Sequence, residues 1–235
     1  MLTVVPTPIG NLQDITLRAL QTLREADLIA AEDTRRSAVL LLHHNIKKPM
    51  ISLHEHNEES RTAALVEEVA GGKSIVLVTD AGMPGISDPG FRLIRACRER
   101  GLGVNVLPGP SAVLTALVGS GLPTNAFYFG GFLSVKSGRR RAELERAISR
   151  SETSVYFESP HRLLRTLDVL DEIAPGADVC VARELTKRFE EYRRGTPAEL
   201  RAHYKSRPPK GEITLVISCA VSVGRNQPGV HPDIG

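Results

Sequence analysis

The chain of 235 residues contains no tryptophan, and aromatic residues make up only 4% of it. That argues against an RNA-recognition surface built on stacked aromatic rings. Only three cysteines occur, Cys97, Cys180 and Cys219, and they stand far apart. No CxxC or other metal-ligand spacing exists, which excludes a zinc ribbon and a disulfide scaffold, so no metal is expected. This cysteine usage fits a reducing cytoplasm, the expected location. No apolar run approaches the roughly 18 residues of a membrane span, so no membrane association is expected. The first residues, Met1-Leu2-Thr3-Val4-Val5-Pro6, have neither the basic start nor the apolar stretch of a signal peptide. Charge of one sign is also scarce. Lys plus Arg is 30 against 27 for Asp plus Glu, a net charge of +3. This excess permits nucleic-acid binding without diagnosing it.

What is present is ordinary globular material, 41% hydrophobic and 24% charged. It suffices for a buried core in one large domain or two small ones. Short apolar runs alternate with helical stripes. Strands are expected over 2–5, 28–31, 50–53, 74–78 and 104–107. Between and after them, helices are expected over 16–26, 37–44, 58–70, 91–100 and 111–118. Repeated β-α alternation implies a mostly parallel sheet covered by helices. The Gly/Pro-rich stretch 119–125 reads as a linker between a domain over 1–118 and a second α/β domain over 126–220. In the second, strands are expected over 126–129, 154–157, 179–182 and 213–218, and helices over 139–148, 161–173 and 197–204. The tail, 221–235, has no periodicity and is expected to be disordered.

In open α/β sheets, ligands bind beyond the carboxyl ends of the strands. The loops carrying glycine, proline and charge all follow expected strands. The loop over 80–90 holds Gly82, Gly85 and Gly90, which let a ligand approach the backbone, and Pro84 and Pro89, which stiffen it. It matches neither the Walker pattern nor GxGxxG, and a plain structural turn is the alternative. Ser111, after Pro108-Gly109-Pro110, either caps a helix or offers the helix's N–H groups to a polar ligand. Glu32-Asp33-Thr34-Arg35 and Arg183-Glu184-Leu185-Thr186-Lys187 are charge clusters at strand ends. They read either as solvated ion pairs or as an acid and base at a site. His54, His56 and His161 are possible bases, although a lone histidine is more often structural. His54-Glu55-His56 has no third ligand and is not a zinc motif. Two arginine-rich runs, Arg139-Arg140-Arg141 and Arg92, Arg95, Arg98, Arg100, are either wet helix faces or phosphate contacts.

Taken in order, these loops resemble a known family. They are Pro6-Thr7-Pro8-Ile9-Gly10-Asn11, Glu32-Asp33-Thr34-Arg35, the 80–90 loop, Pro108 to Ala112, Glu158-Ser159-Pro160-His161-Arg162, Arg183 to Lys187 and Lys210-Gly211-Glu212. Their order and content resemble the bacterial ribosomal RNA small subunit methyltransferase I family of the tetrapyrrole methylase superfamily. The resemblance spans almost the whole chain up to Cys219.

The resemblance implies a two-domain α/β fold, each domain a mainly parallel or mixed sheet flanked by helices, with S-adenosylmethionine in the cleft between them. It implies a homodimer that methylates the ribose 2′-hydroxyl of a cytidine in the decoding region of 16S ribosomal RNA, within the small ribosomal subunit, and leaves S-adenosylhomocysteine. Carried across by position, the cofactor contacts would be Pro8, Ile9, Asp80, Gly82, Met83, Ile86, Ser111, Ala112, Phe157 and Gly195. Family members usually carry threonine where Met83 stands, so a side-chain hydroxyl contact is lost there. The candidate catalytic groups are Glu32, Asp33, Glu158, Glu184 and Lys187. Lys187 could act as a base only with a depressed pKa. The same superfamily includes methyltransferases acting on tetrapyrroles or proteins, and a non-catalytic ribosomal RNA-binding protein is a further alternative.

Overall fold

The computed structural model describes residues 1–218. The expected disordered tail and Cys219 lie outside the described residues. Strands and helices alternate as β1 (Leu2–Val4), α1 (Leu17–Glu25), β2 (Leu28–Ala31), α2 (Thr34–His43), β3 (Met50–Ser52), α3 (Glu58–Ala70), β4 (Ile75–Val78), α4 (Phe91–Glu99), β5 (Val104–Val106) and α5 (Ala112–Gly119). The strands form a five-stranded sheet in the order β3-β2-β4-β1-β5. Every pairing in it is parallel. Strand β4 explains why. All four of its residues are apolar and buried, as a strand covered on both faces requires. Ile75 and Leu77 face Leu65 and Leu93 from α3 and α4. Val76 and Val78 face the other way, toward Leu23 and Leu41 from α1 and α2.

The second half continues with β6 (Phe127–Phe132), α6 (Ser137–Ser149), β7 (Thr153–Glu158), α7 (Leu163–Ile173), β8 (Asp178–Arg183), β9 (Glu191–Gly195), α8 (Pro197–Ser206) and β10 (Ile213–Ser218). Its sheet has the order β6-β7-β10-β8-β9. Only β6 and β7 run parallel, and the other pairings are antiparallel. One face, with Val179, Val181, Leu215 and Ile217, is covered by Leu144, Leu163, Leu167 and Leu200 from α6, α7 and α8. The other face presents Val155, Cys180, Ala182 and Val216.

That second face is covered by α5. Val113, Ala116 and Leu117 bury against it together with Ile9 and Leu122. Helix α5 therefore packs with the second sheet, although a boundary after residue 118 assigns it to the first unit. This shared core joins the two halves at the place where the first loop and α5 begin.

Local differences from the sequence reading have local causes. Helix α2 starts at Thr34, three residues earlier than expected, because the Asp33 side chain caps it by accepting the Arg35 N–H at 2.9 Å. Strand β9, Glu191-Tyr192-Arg193-Arg194-Gly195, was not expected because its sequence is charged and lacks an apolar face. It is an edge strand paired only to β8, and ion pairs to its neighbour hold it, with Arg194 at 2.6 Å from Asp178.

Candidate active site

The site forms where the loops after β1 and β4 meet. Thr7 and Gly82 exchange backbone hydrogen bonds, each 2.9 Å. The Thr7 hydroxyl also donates to the Thr79 carbonyl at 2.9 Å. Gly82 takes the left-handed φ of +81° needed for this contact. The bridge brings Ile9 beside Gly82 and Met83. These residues form one wall of a cleft of about 340 Å³.

The cleft gathers most of the expected cofactor residues. Ile9, Gly82, Met83, Ile86, Ser111 and Ala112 line it from the first half. Phe157 lines it from the second, its ring 5.2 Å from that of Phe132, which also faces the cleft. Ser111 caps α5, with the Leu114 N–H directed at its hydroxyl, and stands in the cleft wall at the same time. The capping reading of Ser111 holds, and its place in the cleft wall leaves the ligand reading open. Pro8 is buried directly before Ile9. Gly195 is not brought to this cleft. It sits in β9, paired with Val179, beside a separate hollow with Arg193 and Glu199. The 211–214 segment completes the floor. Of that segment, only Gly211 and Glu212 belong to a motif visible in the sequence.

The candidate catalytic groups separate sharply in their surroundings. The Glu158 side chain has no exposed surface, and its carboxylate lies 2.8 Å from Arg162. It also accepts the Ser159 N–H at 2.7 Å and the Thr166 hydroxyl at 2.5 Å. Arg162 in turn donates to the Leu133 carbonyl at 2.9 Å. Glu158 reaches the cleft wall, but its carboxylate ties the 158–162 turn to α7 and is committed to these partners. The histidine of that turn, His161, is exposed.

Lys187 Nζ donates to Glu184 and Glu212, both at 2.9 Å. Glu184 Oε1 also accepts the Glu212 N–H at 3.0 Å. Burial pulls the lysine down, but the two carboxylates outweigh it and hold its pKa above the ordinary value. Lys187 is therefore a fixed cation. Burial pushes Glu184 up, while the Glu212 N–H and Lys187 outweigh it and keep it ionised. The loop is conformationally constrained, with left-handed φ at Glu184 (+51°) and Thr186 (+63°), neither of them glycine. It sits directly on Gly10 of the first loop. A Cβ at Gly10 would lie 2.5 Å from Lys187 Cγ and 2.7 Å from the Leu185 carbonyl oxygen.

A third group of carboxylates stands at the ends of β2 and β4. Asp80 accepts the Asp33 N–H, donates its own N–H to Glu32 at 3.2 Å, and pairs with Arg36 at 3.1 Å. The Arg35 side chain and N–H hold the Asp33 carboxyl well below the usual carboxylate range. Burial instead raises Glu32, helped by the charge on Asp80 and opposed by the Asp80 N–H. Asp88, which lines the cleft, is pushed up to about 7 by burial and then by Glu32 and Asp80. The 80–90 loop was a site candidate from sequence, but nothing in its spacing singled out Asp88. His54 lies in the adjoining hollow with Glu32, Asp33 and Asp80, hydrogen-bonded to Asn57, and His56 is exposed. The arginine runs are mainly wet helix faces: Arg141 pairs with Glu145 and Glu172, Arg92 with Glu59, and Arg95 with Glu99. Among the described residues no group of histidine, cysteine, aspartate and glutamate side chains could hold a metal ion. No helix among them is long and apolar enough to cross a membrane.

Two five-stranded α/β sheets around an apolar cleft with glycine-rich walls define a class of protein. The sequence profile of the Tetrapyrrole (Corrin/Porphyrin) Methylases matches residues 1–201. Solved structures with this fold include a diphthine synthase, at a TM-score of 0.72 and 17% identity, covering 92% of this chain and 89% of that one. Another is the uroporphyrin-III C-methyltransferase from Thermus thermophilus complexed with S-adenosylhomocysteine, at a TM-score of 0.62 and 17% identity, covering 92% of this chain and 96% of that one. Sequence relatives are much nearer. A protein from Thermotoga maritima named ribosomal RNA small subunit methyltransferase I is 48% identical over 92% of this chain and 97% of its own length. One of the same name from Haemophilus influenzae is 47% identical over 92% of this chain and 78% of its own. The chain thus belongs to the tetrapyrrole methylases and, among them, to the ribosomal RNA small subunit methyltransferase I family.

Proposed function

We propose that this protein transfers a methyl group from S-adenosylmethionine to the ribose 2′-oxygen of a cytidine in the decoding region of 16S ribosomal RNA. The observation that carries the reading is the cleft. It collects five of the seven loops that mark the family and faces a carboxyl group suited to accept a proton. The small ribosomal subunit in the cytoplasm is the substrate, and the working form is a homodimer.

The cleft fits the cofactor. Its volume lies in the range of small-molecule sites. Ile9, Met83, Ile86, Phe132 and Phe157 give it apolar surface for an adenosine. Ser111 and the N-terminal N–H groups of α5 suit a carboxylate or ribose hydroxyl. The bound cofactor supplies an activated methyl on a sulfonium, and the product is S-adenosylhomocysteine.

The chain's own residues must hold the acceptor oxygen in line and take its proton. Positioning is worth roughly 7–11 kcal/mol, and a general base about 10²–10⁴-fold. Among the candidates named from sequence, Asp33 and Glu184 have lowered proton affinity, Lys187 is kept protonated by its two carboxylate partners, and the Glu158 carboxylate is taken up by Arg162, Thr166 and the Ser159 N–H. Glu32 has raised proton affinity, chiefly through burial, but does not line the cleft. We assign proton acceptance to Asp88, which faces the cleft and whose proton affinity is raised by burial and then by the charges of Glu32 and Asp80. Lys187 holds Glu184 and Glu212 together.

The test is transfer of labelled methyl from S-adenosylmethionine to small subunits lacking the modification, followed by nuclease mapping. Label on the 2′-oxygen of one cytidine is expected. No label, with the cofactor bound normally by calorimetry, would move the search to another acceptor such as a tetrapyrrole or a protein.

A further inference from the structure

A second hollow, of about 410 Å³, lies across a thin wall from the cleft. Pro208, Pro209 and Lys210 line it, while the next residues, Gly211 to Thr214, line the cleft. Glu184 faces the hollow and is held by Lys187 and the Glu212 N–H, so the dividing wall is the Glu184–Lys187–Glu212 knot.

The charge in this hollow is unbalanced. Its carboxylates are already engaged. Glu184 is paired to Lys187, and Glu191 is paired to Arg183 at 3.2 Å and to Arg193 at 3.1 Å. Arg207 and Lys210 also line it, and neither side chain makes an ion pair among the described residues. At its rim stands Phe189, 64% exposed. The Arg188 guanidinium lies 5.5 Å from the centre of that ring. A large aromatic side chain gains nothing from such exposure in the free protein. Core packing does not explain its position, and the loop that carries it is the one with left-handed φ at Glu184 and Thr186.

An exposed ring flanked by unpaired cations is the arrangement that binds single-stranded nucleic acid: the ring stacks on a base and the cations meet phosphates. An acidic peptide would use the cations but not the ring. We infer that this hollow is a subsite for a single-stranded RNA nucleotide flanking the methylated one, with its base on Phe189 and its phosphates near Arg207, Lys210 and Arg188. The inference rests on the RNA reading above and adds to it a residue-level path. A strand crossing the knot would place one nucleotide at the cleft and a neighbour in the hollow. The scarcity of aromatic residues excludes a broad stacking sheet, but a single ring suffices for one base.

The test measures binding of a fluorescently labelled single-stranded RNA oligomer by anisotropy over a salt series. The proteins are wild type, Phe189→Ala, Phe189→Trp, the double variant Arg207→Ala/Lys210→Ala, and Phe91→Ala. Phe91 is equally exposed, at 62%, but sits on the first half and serves as the control. Phe189→Ala is expected to weaken binding about tenfold, within the range for one stacked base. Phe189→Trp is expected to restore it. The double variant is expected to flatten the dependence of log affinity on log salt by about 1.4, the loss of two single-strand phosphate contacts. S-adenosylhomocysteine affinity is expected to stay constant, and KM for small subunits to rise as RNA affinity falls. Affinity of Phe189→Ala within twofold of Phe91→Ala, or an unchanged salt slope in the double variant, would overturn the subsite. If wild type transfers no methyl to subunits yet binds RNA in a Phe189-dependent way, the reaction assignment falls and the subsite stands.

Discussion

Replacing Glu158 with alanine separates a structural carboxylate from a catalytic one. The side chain is fully buried and bonded to Arg162, Thr166 and the Ser159 N–H. Its loss strands Arg162, whose side chain is only 17% exposed, without its counter-ion. Breaking a buried pair from one side costs about 3–5 kcal/mol. The buried Thr166 hydroxyl loses its acceptor as well, a smaller cost within the same range. For a chain of this size each kcal/mol moves the melting temperature by roughly 2–4 °C, so a drop of about 6–20 °C is expected. The assay is thermal unfolding followed by circular dichroism, with kcat measured well below the transition. The double variant Glu158→Gln/Arg162→Met should recover most of the loss, because a buried pair replaced on both sides is often neutral. Turnover of the folded fraction should stay within about tenfold of wild type, far from the 10²–10⁴-fold of a lost base. A melting temperature within 2 °C of wild type, combined with a 10²-fold fall in kcat, would refute the structural assignment and make Glu158 the base.

Asp88→Asn should lower kcat by about 10²–10⁴-fold and leave S-adenosylhomocysteine affinity intact by calorimetry. Wild-type kcat/KM should rise with pH through about 7 as Asp88 ionises, and the variant should lose that limb. The same raised pKa means the folded state holds a proton that the unfolded state has released. Asp88 therefore weakens the fold increasingly as pH rises from about 4 to 7, and Asp88→Asn should unfold at higher urea than wild type at pH 8 but not at pH 4. Lys187→Ala and Glu184→Ala should each lose turnover while keeping cofactor affinity, and unchanged turnover in both would remove them from the site. Gly10→Ala places a methyl against the Leu185 carbonyl and Lys187. It should destabilise by about 1–3 kcal/mol in urea unfolding and raise KM for subunits by displacing the 184–187 loop.

The sequence by itself determined the strand–helix alternation, and with it the parallel first sheet. Runs such as Ile75-Val76-Leu77-Val78 have no polar face and fit only a strand covered on both sides. It also located the loops that build the cleft, because glycine, proline and capping residues act locally. Ser111, readable in sequence as a cap, does cap the helix that follows it. Tertiary structure alone decided the surroundings of each carboxylate. Glu32 and Asp80 lie 48 residues apart in sequence but share a hydrogen bond. Asp88 owes its raised proton affinity first to burial and then to them, while the Glu158 carboxylate lies against Arg162. Burial and the identity of the nearest charge set proton affinity, and both arise from residues far along the chain. The same reason hid β9, whose charged sequence becomes a strand only against β8. It also hid the allegiance of α5, whose apolar side could have faced either sheet until the second presented Val155, Cys180 and Val216.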